Sequence, residues 1–261
     1  VDRDLTLASG VGEVGVSLQH SVAEGHFDDA GAVVEGPTAR EVRGLVDVRW
    51  GVVRGVEVDL VAGFADPVRG PSGTVAATDP RLALRWQLVQ RRAPPSSLAL
   101  SAAITAPFGR GPSTPHPTGA GVGFASADVA ARGARGPVRL TLRAEAGAPL
   151  AAAQVPARPA YVGGAAAVDL QAGPAVLHVG ATVRRIGDRE GAAPSPAGTL
   201  ARVDVGGVLQ VNRGLDLVIT HHAVWTGPAM GAPDDGPARA APWRTTEIGF
   251  RARRPVRRNK P

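Results

Sequence analysis

The residue types able to do chemistry are few in this chain, and their spacing excludes most chemistries. Six histidines are present, His20, His26, His116, His178, His221 and His222. None follows a His-Glu-x-x-His or comparable zinc spacing. His221 and His222 are adjacent, so on a strand they point to opposite faces and do not chelate together. Cysteine is absent, which excludes disulfides and thiolate metal sites. No Gly-x-Ser-x-Gly elbow occurs, and no serine aligns with His221 or His222, so nucleophilic hydrolysis is not expected. The run Gly119-Ala120-Gly121-Val122-Gly123 has no lysine after it and no helix to open, so it is no phosphate loop. Asp28-Asp29 and Asp234-Asp235 are the only weak metal candidates. They fall in the first and last long connections, which would meet if the sheet closed on itself, and four carboxylates there could take Ca²⁺. Two hydrophilic loop tips are the simpler reading. No cofactor is implied, and the chain is not expected to be an enzyme.

The remaining chemical groups are charges, and they alternate with apolar residues. Val56-Glu57-Val58-Asp59-Leu60 is strictly alternating, as are Leu82 to Leu88 and Val138 to Glu145. Period-two patterning of this kind is the mark of a strand with one apolar and one polar face. About twelve such stretches occur, near 13–22, 42–52, 56–65, 81–90, 97–106, 121–131, 138–147, 161–172, 175–186, 199–211, 215–225 and 243–252. Helical periodicity is hard to find, and no apolar run is long enough for a membrane helix.

The connections alternate in length. Short ones are Val53-Arg54-Gly55, Arg91 to Ser96, Arg132 to Pro137, Gly173-Pro174 and Asn212-Arg213-Gly214. Long ones are Ala23 to Glu41, Asp66 to Pro80, Pro107 to Ala120, Ala148 to Ala160, Gly187 to Pro196 and Thr226 to Pro242. All short connections then fall at one end of the sheet and all long ones at the other. Short periplasmic turns and long external loops characterise an outer-membrane barrel, whereas a Greek-key sandwich mixes lengths at each end. Phe64, Phe108, Tyr161, Trp225 and Trp243 fall next to long connections, and Trp50 and Phe250 at the opposite ends, which sketches two aromatic girdles.

The expectation is therefore an all-β protein: one closed, antiparallel, up-and-down transmembrane β-barrel of about twelve strands. It would span residues 1–252 with a lead segment at 1–12, followed by a basic tail at 253–261. The chain opens VDRDLTLASG with no signal-peptide pattern, so it would represent a mature form. With apolar residues facing lipid, the lumen is lined by Arg43, Asp47, Arg49, Glu57, Asp59, Arg85, Arg139, Arg143, Glu145, Asp169, His178, Arg184, Arg202, Asp204, Asp216, His222, Glu247 and Arg251. A charge on the lipid side costs roughly 2–4 kcal/mol at the midplane, which forces these residues inward.

Turn length fixes register. A three-residue loop at Val53-Arg54-Gly55 pairs Val52 with Val56 and sets Arg49 opposite Asp59. A two-residue Gly173-Pro174 turn sets Asp169 opposite His178. A three-residue Asn212-Arg213-Gly214 loop pairs Val211 with Leu215, sets Asp204 opposite His222, and leaves His221 towards lipid.

The stretch Thr78 to Gly111, TDPRLALRWQLVQRRAPPSSLALSAAITAPFGRG, resembles the core pattern of the outer-membrane family named for the phenol meta-cleavage pathway. Asp79, Leu82, Leu84, Arg85 and Trp86 match its first strand, and Ala106-Pro107-Phe108-Gly109 stands where the family has Leu-Pro-Thr-Gly. Gly119 to Gly147 is similar to the family's next hairpin. The resemblance implies an outer-membrane barrel grouped with transporters of hydrophobic compounds, and it implies no catalytic residues.

The formal charge of +6 comes almost wholly from arginine, with one lysine, Lys260. Arginine-rich, Ala/Gly/Pro-rich composition accounts for this without nucleic acid as partner. The expected function is passive passage of small solutes across the bacterial outer membrane, with the lipid bilayer as partner. Alternatives are a barrel with a filled lumen that acts as an anchor or binds a protein partner in the envelope, and a soluble β-sandwich that binds a ligand.

Overall fold

The computed structural model describes residues 5–27, 33–68, 75–92, 95–109, 122–150, 160–187, 198–226 and 243–255. Every described element is a strand. They are β1 (Val11–Phe27), β2 (Val33–Val53), β3 (Val56–Val68), β4 (Ala76–Ala77), β5 (Arg81–Arg92), β6 (Pro95–Thr105), β7 (Phe124–Arg135), β8 (Val138–Pro149), β9 (Tyr161–Ala172), β10 (Ala175–Ile186), β11 (Gly198–Asn212), β12 (Leu215–Thr226) and β13 (Trp243–Pro255).

β4 is a two-residue bridge on β3, beside Phe64 and Ala65. The other twelve strands pair with their chain neighbours, all antiparallel, and β1 pairs with β13 to close the ring. Closure leaves no free edge strand, so the backbone of the wall pairs within the sheet. A single closed ladder also rules out the β-sandwich alternative, which needs two packed sheets.

The wall has two chemically distinct faces. Val14, Val16 and Leu18 of β1 are exposed, as are Val46, Val48 and Trp50 of β2. The intervening Glu13, Glu41, Glu57 and Asp59 are buried. This is the inverse of a soluble protein, which does not expose a continuous apolar girdle. Alternation with an apolar outside and a charged inside is the pattern of a barrel whose solvent outside is lipid.

The turns depart from expectation in detail. Val53 pairs with Val56 and Asn212 with Leu215, so two of the supposed three-residue loops are two-residue tips, Arg54-Gly55 and Arg213-Gly214. A bulge at Val52 and another at Val211 absorb the extra residue. Registers further down the ladders are therefore unchanged, with Arg49 opposite Asp59 and Asp204 opposite His222. Gly55, Gly136 and Gly173 have φ of 76°, 58° and 58°, as tight hairpin tips require. The connection expected over Arg132 to Pro137 shortens to Gly136-Pro137, a repeat of the Gly173-Pro174 turn.

At the opposite end, the connection expected from Ala23 to Glu41 is mostly strand. β1 and β2 stay paired to Phe27 and Val33, past an irregularity between Glu24 and His26. The girdle at this end is also smaller than expected. Phe64, Phe108 and Trp225 are well exposed, but Tyr161 (8%) and Trp243 (3%) are buried on the inner face. Each occupies a register position shared with inward neighbours, so strand parity overrides residue type. At the short-turn end Trp50, Trp86 and Phe250 are all exposed.

Candidate functional site: the inner wall

Each strand of the barrel brings inward-facing polar residues to a shared belt. Arg253 on β13 holds Glu13 on β1 with Nη2 2.8 Å from Oε2, and reaches Asp216 on β12 at 3.8 Å. Arg49 on β2 lies 3.8 Å from Glu13 and 3.3 Å from Asp47. On β3, Glu57 pairs with Arg85 of β5 at 3.2 Å, and Asp59 with Arg81 at 3.7 Å. Arg143 of β8 lies 3.6 Å from Asp128 of β7. Arg202 on β11 sits 3.0 Å from Asp204. Arg43 pairs with Glu41 along β2. Gln19 donates to Glu247 at 3.1 Å, and Ser21 shares a 2.8 Å hydrogen bond with Thr245. Arg251 and Glu247 line a small cleft with Asp47 and Gly15. Arg139 is in register with Asp169.

Both carboxylate–imidazole pairs form. His178 Nδ1 lies 2.6 Å from Asp169 Oδ1, across the β9–β10 hairpin. His222 Nδ1 lies 2.5 Å from Asp204 Oδ1, across β11–β12. His221 is exposed on the outer face, 3.1 Å from Thr246 Oγ1.

One ion pair skips a strand. Arg184 on β10 reaches Glu145 on β8, with Nε 2.6 Å from Oε1 and Nη2 3.3 Å from Oε2. The intervening position on β9 is Gly163. A Cβ there would stand 2.9 Å from Arg184 Cγ and 2.4 Å from the Val183 carbonyl oxygen. Glycine therefore opens the passage the guanidinium crosses. Arg184 also lies 4.7 Å over the ring of Tyr161, which stacks on Phe124 with centroids 5.8 Å apart.

Six charged wall residues escape sequence reasoning: Glu13, Glu41, Arg81, Asp128, Arg132 and Arg253. Asp128 and Arg132 keep the parity of Ser126 and Ala130, which was the available signal. Arg253 falls past residue 252, yet β13 runs to Pro255. Asp28, Asp29, Asp234 and Asp235 lie outside the described residues. No group of three or more metal-ligating residues forms among the described ones.

A second feature of the wall lies in the lead segment. Residues 5–10 fold back inside the short-turn end. Leu7 N–H donates to Glu57 Oε2 at 2.7 Å. Thr6, which is buried, donates through its hydroxyl to Gln87 Oε1 at 2.6 Å. Arg85 Nη1 donates to the Leu5 carbonyl at 3.2 Å. Gly10 N–H donates to the Gly51 carbonyl at 2.7 Å.

Asp79 and the run Ala106-Pro107-Phe108-Gly109 meet in space. Asp79 Oδ1 accepts a 2.6 Å hydrogen bond from Gly109 N–H, and Ala106 N–H donates to the Pro80 carbonyl at 3.0 Å. The aspartate before one strand thus clips the Pro-x-Gly after the next.

No family model matches the chain, and no curated protein matches it in sequence. Solved structures do. The NanC porin superposes with a TM-score of 0.57 over 91% of this chain and 98% of that one, at 8% identity. The translocator domain of autotransporter NalP from Neisseria meningitidis aligns over 94% and 89% of the two chains, at 11% identity and a TM-score of 0.45. The β-domain of the Bordetella autotransporter BrkA aligns over 94% and 99%, at 12% identity and 0.46. The last two scores are too low to build on. The likeness to NanC, together with ring closure and the inverted faces, makes this fold that of outer-membrane β-barrel proteins.

Proposed function

We propose that this chain is a passive channel in the bacterial outer membrane, admitting small polar solutes. The observation that carries this reading is the inner wall, where carboxylates and arginines of adjacent strands pair in a belt around the lumen. Such a wall is hydrated and holds both signs close together, so it offers polar solutes a path without a strong preference for either ion. The fold shared with a porin is consistent with this use, and the paired wall suits polar better than hydrophobic cargo. Purified protein in planar bilayers should give discrete conductance steps with weak ion selectivity. Vesicles that stay tight to small sugars and ions when the folded barrel is present would overturn the proposal.

The lead segment favours one second reading, a barrel whose lumen is filled and which serves as an anchor in the envelope. Under that reading the full chain leaves the bilayer tight, and removal of residues 1–10 opens it.

A further inference from the structure

The formal charge of +6 has no outlet in the inner wall, where arginines and carboxylates pair. Among the described residues, its exposed part at the short-turn end is arginine alone. Arg54 and Arg213 sit at hairpin tips, and Arg91, Arg135 and Arg254 face outward at the ends of β5, β7 and β13, opposite Ser96, Val138 and Gly12. All five are exposed. The carboxylates described at this end, Glu13, Glu57 and Asp216, are buried on the inner face and held by Arg253 and Arg85. No side chain of the five outer arginines makes a hydrogen bond or ion pair with a described residue. The opposite end differs, since exposed Glu24 and Glu35 stand there with Arg185 and Arg244.

We infer that the five arginines form a collar that binds the phosphates of anionic phospholipids in the leaflet facing the short turns. Trp50, Trp86 and Phe250 are exposed on the same end. Aromatic side chains of that kind mark the membrane interface, so the collar stands at headgroup depth. Guanidinium groups match phosphate oxygens with paired N–H donors, and an anionic leaflet attracts such side chains. Neighbouring hairpin tips lie about 10 Å apart, two strand spacings, so each arginine can meet a separate headgroup. The Gly173-Pro174 tip carries no charge and leaves a gap in the collar. The inference rests on the membrane placement proposed above but not on conductance, because lipid retention is read without any flux.

The test is native mass spectrometry of the full chain released from equal mixtures of phosphatidylglycerol and phosphatidylcholine. The wild type should retain phosphatidylglycerol over phosphatidylcholine by about tenfold or more, and the excess should fall as salt is raised. A variant carrying Arg54→Gln, Arg91→Gln, Arg135→Gln, Arg213→Gln and Arg254→Gln should retain both lipids equally while still migrating as a heat-modifiable barrel. Arg185→Gln with Arg244→Gln, at the other end, should leave the preference intact. If the fivefold variant does not fold, the corresponding fivefold Lys variant and the salt series on the wild type decide. No preference in the wild type, a preference insensitive to salt, or an equal loss in the Arg185/Arg244 variant overturns the inference.

Discussion

At the residue scale, two hairpins place an imidazole against a carboxylate on the inner wall, His178 with Asp169 and His222 with Asp204. Replacing both imidazoles removes two groups able to carry positive charge beside the aspartates. The double variant His178→Gln with His222→Gln should therefore prefer cations more than the wild type does, and reversal potentials under a salt gradient read the difference. Equal selectivity in the two proteins leaves the pairs a structural role alone. These pairs were legible in the sequence because turn length and period-two alternation fix which residues face each other. The Arg184–Glu145 pair was not, because it crosses a strand and depends on Gly163 being empty. Gly163→Val should destabilise the barrel by about 1–3 kcal/mol, through overpacking and an unpaired buried carboxylate. The measurement is the temperature at which heat-modifiable migration is lost. An unchanged temperature would mean that the wall yields at this point.

At the element scale, strand identity was legible almost throughout, because a wall with lipid outside and charge inside needs strict alternation. Strand ends were less legible. Val53 and Asn212 look like loop residues by count, but they pair at the strand ends because Val52 and Val211 bulge, and a bulge has no residue signature apart from context. Aromatic residues at strand ends misled in the same way. Tyr161 and Trp243 follow the parity of their strands inward, and local composition does not report parity. Register itself is testable. Arg49→Cys with Asp59→Cys should crosslink within the assembled barrel, since cross-strand partners have Cβ atoms about 4.5–5.5 Å apart. Arg49→Cys with Leu60→Cys should not, since those positions lie on opposite faces. The faces are tested separately on β8. Leu140 is exposed on the outer side, and Thr141 accepts from Arg132 on the inner side at 3.0 Å. Leu140→Arg should impair insertion, while Thr141→Arg assembles. Equal assembly of the two variants would reverse the assignment of faces.

At the scale of the whole molecule, closure turns twelve strands into one unit, and it also creates a lumen with two mouths. Residues 1–12 read in the sequence as a lead segment, of which 11 and 12 are already strand, and nothing in their composition says where the rest go. Their position follows from the wall. Glu57 and Gln87 present acceptors inside the short-turn mouth, and the Leu7 amide and the Thr6 hydroxyl satisfy them. Gly51 is small where the Ala8 carbonyl passes, since a Cβ there would stand 2.2 Å from that oxygen. A chain segment with its side chains fills about 10 Å, the spacing of packed sheets, which is comparable to the bore a twelve-strand barrel leaves. The segment therefore constricts the mouth if the lumen conducts. Deletion of residues 1–10 removes it and leaves β1 to begin at Val11. The conductance of single channels should then rise, because the narrowest cross-section widens by about one segment. Glu57→Gln weakens the Leu7 contact and the Arg85 pair together. It should produce flicker between the two conductance levels instead of the wide one alone. A deletion that leaves conductance unchanged would place the constriction elsewhere in the lumen. A full chain that leaves the bilayer tight, with the deletion variant conducting and still heat-modifiable, would decide for the filled anchor over the channel.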